Sequence, residues 1–469
     1  MTSQPNNHVS PEGIDDPKKD GSQRFDNRNC PERTGTFLTA SIHITTAVIG
    51  VGVLSLGWAT AQLGWIASPI TMLLFAFVTC YTSQILTACF RPEDNTYMDV
   101  VAANLGGFKV VLCGLVQSVT VFGVAVSYTI ASSIRLADIQ RSVCFYKNGV
   151  EYLCPINSNP YKIAFGIIEI ISSQILPPNQ LGWISIVAAV MFPCYSIIEV
   201  ALGIAKIKET GKIRGSLTGI SIGTMTSTQK LWGSFQALGV MAFAYEYFLV
   251  FPEILVTIRS PPSGSKTMKK ASLVSIAVAT LVYMLYGCIG FAVSGNMVPR
   301  NLLTEFGFYK PSWLVNIANG ALVIHLIGAF QVYCQPLFTF VEEEAVRKFS
   351  TSQFIRMEIP IPIFKLGEYK LNVFRLVWRT VFVIATTVTS MLLPFSINII
   401  GLLGALNFWL LTVYFPVEMY IKRKNIPKWS TECVLLHILS VACFIVSVAA
   451  TVGSVAGFVH DLKSRKTFS

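Results

Sequence analysis

The chain has 469 residues, of which 52% are hydrophobic and only 13% are charged, about half of the charged fraction that is usual in soluble proteins. This composition excludes a disordered protein, a coiled coil and a soluble nucleic-acid-binding protein, and it predicts a polytopic membrane protein. The formal net charge of +11 does not indicate a nucleic-acid partner, because the basic residues lie in short hydrophilic gaps between apolar stretches.

The chain begins with a polar segment over residues 1–36 that is rich in Asn, Asp and Pro, and no apolar segment precedes Phe37. A cleavable signal peptide would need such an apolar segment, so the first membrane span must itself direct insertion. We therefore expect a disordered, cytosolic N-terminal tail over residues 1–36.

Apolar stretches of membrane-spanning length follow, each bounded by charged or Pro/Gly-rich gaps. The eleven predicted spans are 37–57, 66–89, 110–132, 162–177, 183–205, 232–257, 271–294, 313–340, 373–394, 397–420 and 432–458. An odd number of spans places the two ends of the chain on opposite sides of the membrane. Lys and Arg are more abundant in the segments that share a side with the N-terminus, which predicts a cytosolic N-terminus and an extracellular C-terminus. The basic segment KIKETGKIRG on the outer side is an exception to this bias.

The hydrophilic segment between the third and fourth spans holds Cys144 and Cys154. Two cysteines in one short extracellular loop can form a disulfide bond, which we expect here, and two unpaired loop thiols are the alternative. The cysteines of the chain have neither C-x-x-C nor zinc-ligand spacing, so we expect no metal site.

The first and sixth spans are interrupted in sequence. Gly50, Gly52 and Gly57 lie within the first span, whereas Gly239 and Pro252 lie within the sixth. Glycine in a helix costs about 1 kcal/mol relative to alanine, and proline removes a backbone hydrogen bond. Close packing through small residues would explain one such span. Two interrupted spans at equivalent positions in successive sets of five instead predict an inverted-repeat transporter.

The predicted domain organisation follows from this symmetry. Repeat one covers about 37–205, repeat two covers about 232–420, and an extra helix over 432–458 completes a transmembrane domain over 37–460, before a short C-terminal tail over 461–469. Unwound backbone leaves N–H groups free to hold a carboxylate and C=O groups free to hold a cation or an ammonium group. We therefore expect the substrate to bind at the two breaks.

The chain resembles a known transporter family in long, well-ordered stretches. These include RTGTFLTASIHITTAVIGVGVLSLGWATAQLGWIA, LVIHLIGAFQVYCQPLF and LTVYFPVEMYI, and the resemblance extends from about residue 33 to residue 467. The chain is similar to plant amino acid permeases of the amino acid/auxin permease family, which are proton-coupled symporters. The resemblance implies an all-α, LeuT-like fold with five plus five inverted-repeat helices and one extra helix. It also implies import of amino acids with protons by alternating access, with the proton as coupling ion and no other cofactor. The implied location is the plasma membrane or, alternatively, an endomembrane.

Four positions depart from the family pattern. Val51 replaces a small hydroxyl residue at the first break, and Val240 replaces a carboxylate in the sixth span. Glu246 stands where the family usually has serine, and Glu199 stands where it usually has glycine. These departures leave open whether Val240 and Glu246 abolish coupling. The alternatives are a transport-inactive amino acid receptor on the same fold, or a carrier of auxin or related amino-acid-like substrates. Coupling to sodium ranks below coupling to protons.

Backbone donors at the first break are expected to bind the substrate carboxylate, and the substrate side chain is expected to enter a pocket with an aromatic wall. The predicted substrate-binding residues are Ile49, Gly50, Val51, Gly52, Val53, Tyr128, Phe243, Ala244 and Tyr245. For the three aromatic residues the alternative is simple packing between helices.

Ionisable residues within spans are energetically costly and tend to mark transport pathways. Histidine titrates near neutral pH, and His43 and His325 match histidines of the family motif, so we predict that they relay the coupling proton. The alternative is that each is hydrogen-bonded within the bundle. Glu246, beside the second break, is the third predicted coupling residue and can also hold a cation or the substrate ammonium group.

Other acidic residues in the spans are expected to form ion pairs. Glu418 precedes a basic segment at the end of the tenth span, and pairing with that segment is the simplest interpretation. Glu169 and Glu199 can pair with Arg375 or Arg379 of the ninth span.

Signatures of enzymes are absent from the sequence. The chain has no G-x-x-x-x-G-K-[ST] phosphate loop and no H-E-x-x-H metal pair, and its five histidines are widely spread. We therefore expect no enzymatic activity, no catalytic residues and no nucleic-acid partner. The expected partners are an amino acid substrate and the lipid bilayer, and the sequence does not fix the oligomeric state.

Overall fold

The computed structural model describes residues 35–91, 93–94, 96–148, 156–175, 181–220, 226–258, 264–295, 312–350, 352–363, 367–393 and 396–466. The predicted N-terminal tail lies outside the described residues, and so does Cys154. Cys144 takes part in a disulfide bond. Its pairing with Cys154 stays a prediction.

Nearly all of the described residues are helical. The helices are α1 (Phe37–Val48), a 3-10 helix (Val51–Ser55), α2 (Leu56–Cys89), α3 (Tyr97–Asn104), α4 (Phe108–Asn148), α5 (Asn159–Ile175), α6 (Leu181–Thr210), α7 (Ser227–Ala244), α8 (Phe251–Thr257), α9 (Gly264–Ser294), α10 (Ser312–Lys348), α11 (Gln353–Arg356), α12 (Val373–Leu392), α13 (Ser396–Asn407), a π-helix (Phe408–Tyr414), α14 (Phe415–Lys424) and α15 (Thr431–Lys466). Strands β1 (Glu358–Ile363) and β2 (Gly367–Asn372) form an antiparallel hairpin between α11 and α12.

Eight helices in the described part of the chain are long and apolar enough to cross a membrane. Each predicted span coincides with a described helix or with an interrupted set of helices. The first span is α1 followed by the 3-10 helix, and the sixth is α7 followed by α8. The two interruptions therefore occupy equivalent positions in the two sets of five spans, as the inverted-repeat prediction requires.

Helix packing divides the bundle into two groups. In the first helix group, α2 packs against α9 and α7, and α1 packs against α9 and α8. In the second helix group, α10 packs against α4, α5 and α6, and α12 packs against α4 and α5. The principal contacts between these groups are those of α6 with α9 and with α1. Helices α13 and α15 pack against α7.

The two ends of the bundle are distinguished by the direction of α1. The end at which α1 begins is the N-face, where Lys109 Nζ lies 2.9 Å from Glu418 Oε2. The opposite end is the far face, where the backbone N–H of Arg214 donates to the carbonyl of Ala292 at 3.0 Å. Glu418 is therefore ion-paired, but its partner lies on α4 and not in the basic segment that follows it.

The arginines of α12 do not pair with the two glutamates that the sequence suggested. Arg379 Nε donates to Glu342 Oε1 at 2.7 Å. Glu169 instead accepts a hydrogen bond from Gln331 Nε2 at 2.6 Å. The pairing of Glu169 or Glu199 with these arginines, which the sequence left open, is therefore not found among the described residues, because Glu342 of α10 pairs with Arg379.

Glycines let α7 and α13 approach closely. A Cβ atom added to Gly404 would overlap the carbonyl oxygen of Gly239 and would lie 2.6 Å from the backbone nitrogen of Phe243. Gly239 therefore serves close packing, and α7 continues through it to Ala244. Pro252 lies in the first turn of α8, where proline is tolerated, so the break itself lies upstream of it.

Candidate functional site

The first break lies between α1 and the 3-10 helix. Ile49 has φ −85° and ψ 76°, and Gly50 has φ −104° and ψ −152°, so neither residue is helical. The amide of Ile49 still donates to the Thr45 carbonyl at 2.9 Å. The N–H groups that begin a helix have no partner within it, which leaves the amides of Val51 and Gly52 directed out of the 3-10 helix.

The second break covers the residues between α7 and α8. Tight turns begin it, with the Glu246 amide donating to the Phe243 carbonyl at 3.1 Å, and end it, with the Val250 amide donating to the Tyr247 carbonyl at 3.1 Å. Helical hydrogen bonding is therefore interrupted in the same region of the bundle as at the first break.

Two tyrosine hydroxyls join the breaks. Tyr283 Oη of α9 lies 2.7 Å from the Val48 carbonyl oxygen and 2.5 Å from the Ala244 carbonyl oxygen. Tyr333 Oη of α10 lies 3.2 Å from the Ala47 carbonyl oxygen and 3.3 Å from that of Glu246. Each hydroxyl thus serves one carbonyl from each break, which fixes the two interrupted helices against each other.

The predicted substrate-binding residues come together around these breaks. A Cβ atom on Gly50 would lie 3.3 Å from Tyr128 Oη, and one on Gly52 would lie 3.1 Å from Phe243 Cδ1. The Tyr245 ring packs against the Tyr283 ring with centroids 5.1 Å apart. The other members also lie at the breaks, and the Val51 side chain is outside the described atoms; they are Ile49, Val51, Val53 and Ala244. Their contact with a substrate stays a prediction.

Glu246 is buried between the second break and α13. Its Oε2 accepts a hydrogen bond from Asn407 Nδ2 at 3.3 Å, and Asn407 Oδ1 accepts one from Thr120 Oγ1 at 2.8 Å. The other carboxylate oxygen, Oε1, has no hydrogen-bond partner among the described residues. A buried carboxylate with an unsatisfied oxygen is suited to binding a proton or a cation.

A cavity of about 60 Å³ lies on the N-face side of the second break. Tyr97, Val121, Leu249 and Pro336 are among the residues that line it. Tyr97 also donates a hydrogen bond at 2.6 Å to the carbonyl of Leu411 in the π-helix, a segment where regular helical bonding is shifted. The N-face half of the bundle therefore has open space close to the breaks.

The two histidines differ in their relation to the breaks. His325 is fully buried, and its Nδ1 lies 2.9 Å from the Ala188 carbonyl oxygen. Its Nε2 completes no hydrogen bond of standard geometry with a described residue, and its polar neighbour there is the backbone of Ile49. His43 lies half-buried on α1, about two turns before the break. The structure thus brings His325 to the first break and leaves His43 away from it, and the relay roles of both stay predictions.

Several residues at the breaks were not predicted. Tyr283, Tyr333 and Asn407 contact the break residues from other helices, far away in sequence, and Thr120 holds Asn407 from α4. The available signal was a polar group inside an otherwise apolar span, which is costly unless it has a partner. That signal marks many residues in this chain, so it could not select these four.

The transmembrane amino acid transporter protein family matches residues 33–460 of this chain. Amino acid permease 3 of Arabidopsis thaliana is 58% identical over 98% of both chains. Amino acid permease 2 of the same plant is 55% identical over 95% of this chain and 92% of its own length.

Two solved structures share the architecture at low sequence identity. MhsT, in its complex with L-phenylalanine, has a TM-score of 0.52 and 12% identity over 91% of this chain and all of its own. A Na⁺-coupled sialic acid symporter in a substrate-bound, outward-open state has a TM-score of 0.52 and 10% identity over 91% of this chain and 90% of its own. These likenesses concern the fold alone, and they confirm the all-α, LeuT-like fold that the family resemblance implies.

Proposed function

Because the chain belongs to the transmembrane amino acid transporter protein family, we propose that it is a proton-coupled symporter that imports amino acids by alternating access. It is an amino acid transporter and not an enzyme. The observation that carries the proposal is the Tyr283 hydroxyl between the Val48 and Ala244 carbonyls, because it joins the two interrupted helices into one site.

The zwitterionic substrate binds between the breaks in this proposal. Its carboxylate accepts hydrogen bonds from the amides at the start of the 3-10 helix, where the helix dipole also favours a negative charge. Its side chain enters a pocket bordered by Tyr128, Phe243 and Tyr245, which lie beside the glycines of the first break or the clamping Tyr283.

The coupling proton binds at Glu246 or His325, each of which has one polar atom without a standard hydrogen bond to a described residue. His43 is a third candidate, placed about two turns nearer to the N-face. A proton drives transport only through its different affinity for the two conformations, so the coupling group must change its surroundings when the bundle moves. Glu246 lies on the non-helical segment beside Asn407, where such a change is easily made.

The proposed orientation places the N-face in the cytosol and the far face outside, in the plasma membrane or alternatively in an endomembrane. The cavity beside the second break then opens the site toward the cytosol, and rocking of the first helix group against the second closes it and opens the outer side.

Membrane current and labelled uptake in oocytes that express the chain test this proposal. Each common amino acid is added in a sodium-free bath at neutral and then at acidic pH. We expect inward current and uptake that both grow on acidification. Surface expression with neither signal would overturn the proposal, and saturable binding without uptake would identify a receptor instead. Uptake that requires sodium would overturn the assignment of the coupling ion.

A further inference from the structure

A second buried glutamate lies on the far-face side of the breaks. Glu199 of α6 has 0% exposed surface, and neither of its carboxylate oxygens completes a hydrogen bond of standard geometry with a described residue. Its polar neighbour across the helix interface is the hydroxyl of Tyr286, which is also buried. Tyr286 lies one turn beyond Tyr283, whose hydroxyl joins the two breaks, in the direction of the far face. Glu199 is therefore close to the substrate site but separate from it.

Charged and titratable groups surround Glu199 on several helices. Tyr195 lies one turn earlier on α6, and its ring packs against that of His325 on α10 with centroids 5.7 Å apart. Tyr286 is the neighbour of Glu199 on α9, and the positive charge of Arg135 on α4 also acts on Glu199. No ion pair shorter than 4.0 Å joins Arg135 and Glu199 among the described residues.

Arg135 is completely buried and connects this region to the far face. Its Nη1 lies 3.5 Å from Asp138 Oδ2 and 3.4 Å from Asn319 Oδ1. Asp138 is shared, because its Oδ1 also accepts a hydrogen bond at 2.8 Å from Arg141, whose side chain is 39% exposed. Glu199 is a second carboxylate whose negative charge helps to balance Arg135.

Glu199 lies at the boundary between the two helix groups. Helix α6 belongs to the second helix group and α9 to the first, and their contact is a principal link between the two groups. The Glu199–Tyr286 contact therefore crosses the boundary along which the groups must separate to open the far face. Glu169 offers a contrast, because its hydrogen bond to Gln331 of α10 stays within the second group.

We propose that Glu199 binds a proton that arrives from the far face, and that its protonation releases the contact with Tyr286 and opens that side of the bundle. The proposal rests on the proposed function for the orientation of the bundle and for the proton as coupling ion. It adds a second proton-binding residue, on the side of the breaks opposite to the cavity that Leu249 of the second break lines.

The physical reason is charge balance in a medium of low dielectric constant. Ionised Glu199 offsets part of the Arg135 charge and attracts the hydroxyl dipole of Tyr286 across the boundary, so the closed interface is stable. Protonation removes that negative charge, and an incompletely compensated guanidinium is costly to bury. Separation of the two helix groups admits water to Arg135 and relieves this cost, so the protonated state favours the opened far face.

The test measures the opening of the far face through a cysteine introduced on the far-face side of the breaks. Ser132 of α4 has 0% exposed surface, one turn before Arg135, and Ser132→Cys is probed with a membrane-impermeant thiol reagent added from the extracellular side. The signal is the difference from the same protein without that cysteine. Glu199→Gln mimics the protonated carboxyl, and we expect it to raise the modification rate at neutral pH about tenfold, the effect of weakening one interaction with a charged group. Acid lowers the thiolate fraction of the probe cysteine in every variant, so the parent rate is expressed relative to that of Glu199→Gln at the same pH. This ratio is expected to rise on acidification.

Glu169→Gln is the matched control, because it also neutralises a fully buried glutamate but leaves the boundary between the groups intact. A rate in Glu199→Gln equal to that of the parent, at equal surface expression, would overturn the proposal. An equal increase in Glu169→Gln would do so as well. Tyr286→Phe, which keeps the Glu199 carboxylate, is also expected to raise the rate of thiol modification at neutral pH. The readout needs no substrate, so absence of proton-driven uptake with normal opening would count against the proposed function alone.

Discussion

Each half of the bundle contains a buried, incompletely hydrogen-bonded glutamate, and the two glutamates have different surroundings. Glu246 lies on non-helical backbone at the second break, beside an amide donor and near a cavity of about 60 Å³. Glu199 lies within a helix at a sealed interface, between Tyr286 and the charge of Arg135. The surroundings of Glu246 suit a group that binds a ligand. Those of Glu199 suit a group that stabilises the contact between the two helix groups. The same side chain can therefore have different roles on the two sides of one site.

The largest effect is expected where the two halves meet, at Tyr283. Tyr283→Phe leaves the Val48 and Ala244 carbonyls without their shared donor, which costs about 2 kcal/mol and corresponds to about a thirtyfold fall in the maximal uptake rate. The measurement is the uptake rate normalised to surface expression. Tyr81→Phe on α2, whose side chain is 40% exposed, serves as the control and is expected to keep the parent rate. An unchanged rate in Tyr283→Phe would show that transport does not need the hydrogen bonds by which Tyr283 joins the two breaks.

Glu246→Gln tests the role of the glutamate at the second break. Glutamine cannot take up a proton, so we expect uptake about tenfold below the parent at acidic pH. The increase on acidification is expected to be smaller than in the parent, and the part that remains is due to Glu199. Uptake is measured as a function of external pH, with Glu169→Gln as the control that retains the parent profile. A normal pH profile in Glu246→Gln would move the coupling role to His325, for which His325→Gln is the next variant.

Thr120→Val tests whether Asn407 is oriented toward Glu246. The substitution removes the donor that holds Asn407 Oδ1, so the amide can turn its acceptor toward the carboxylate. We expect about a fivefold loss of uptake at acidic pH, in line with about 1 kcal/mol for one hydrogen bond. Thr129→Val, on the same helix and equally buried, removes only a bond to its own helix at the Ala125 carbonyl. Equal losses in both variants would contradict the role of the Thr120–Asn407 pair.

The smallest effect is expected at the N-face, outside both buried regions. Lys109 and Glu418 form an ion pair, but their side chains are 35% and 27% exposed. Pairs near the surface contribute at most about 1 kcal/mol, so Lys109→Met is expected to change uptake by less than about twofold. The check is uptake at two salt concentrations. A loss as large as that of Glu246→Gln would show that the N-face charges take part in the conformational change.

The sequence indicated the fold well, because glycine and proline interruptions in apolar spans are local signals. Gly50 and Gly52 correctly indicated the first break, and the structure explains them through the close approach of Tyr128 and Phe243. The second break was less well located. Gly239 turned out to serve helix packing, and Pro252 lies in the first turn of the following helix.

The partners of the breaks could not be predicted, because they depend on contacts between distant parts of the chain. Tyr283 lies 235 positions from Val48, and Asn407 lies 161 positions from Glu246. The partner of Arg379 could not be chosen from the sequence for the same reason, since it is Glu342 of α10. The hairpin of β1 and β2 was missed because a search for long apolar helices does not detect short strands, and EIPIPI contains two prolines, which lack an N–H group.

The most direct test of the central claim uses the purified chain in liposomes. A pH gradient, acidic on the side of the far face, is imposed in sodium-free buffer with the membrane potential clamped, and uptake of labelled amino acids is followed. Proton-coupled symport predicts transient accumulation above equilibrium that disappears when a protonophore is added. Uptake that only equilibrates the substrate, with or without the gradient, would contradict proton-coupled symport.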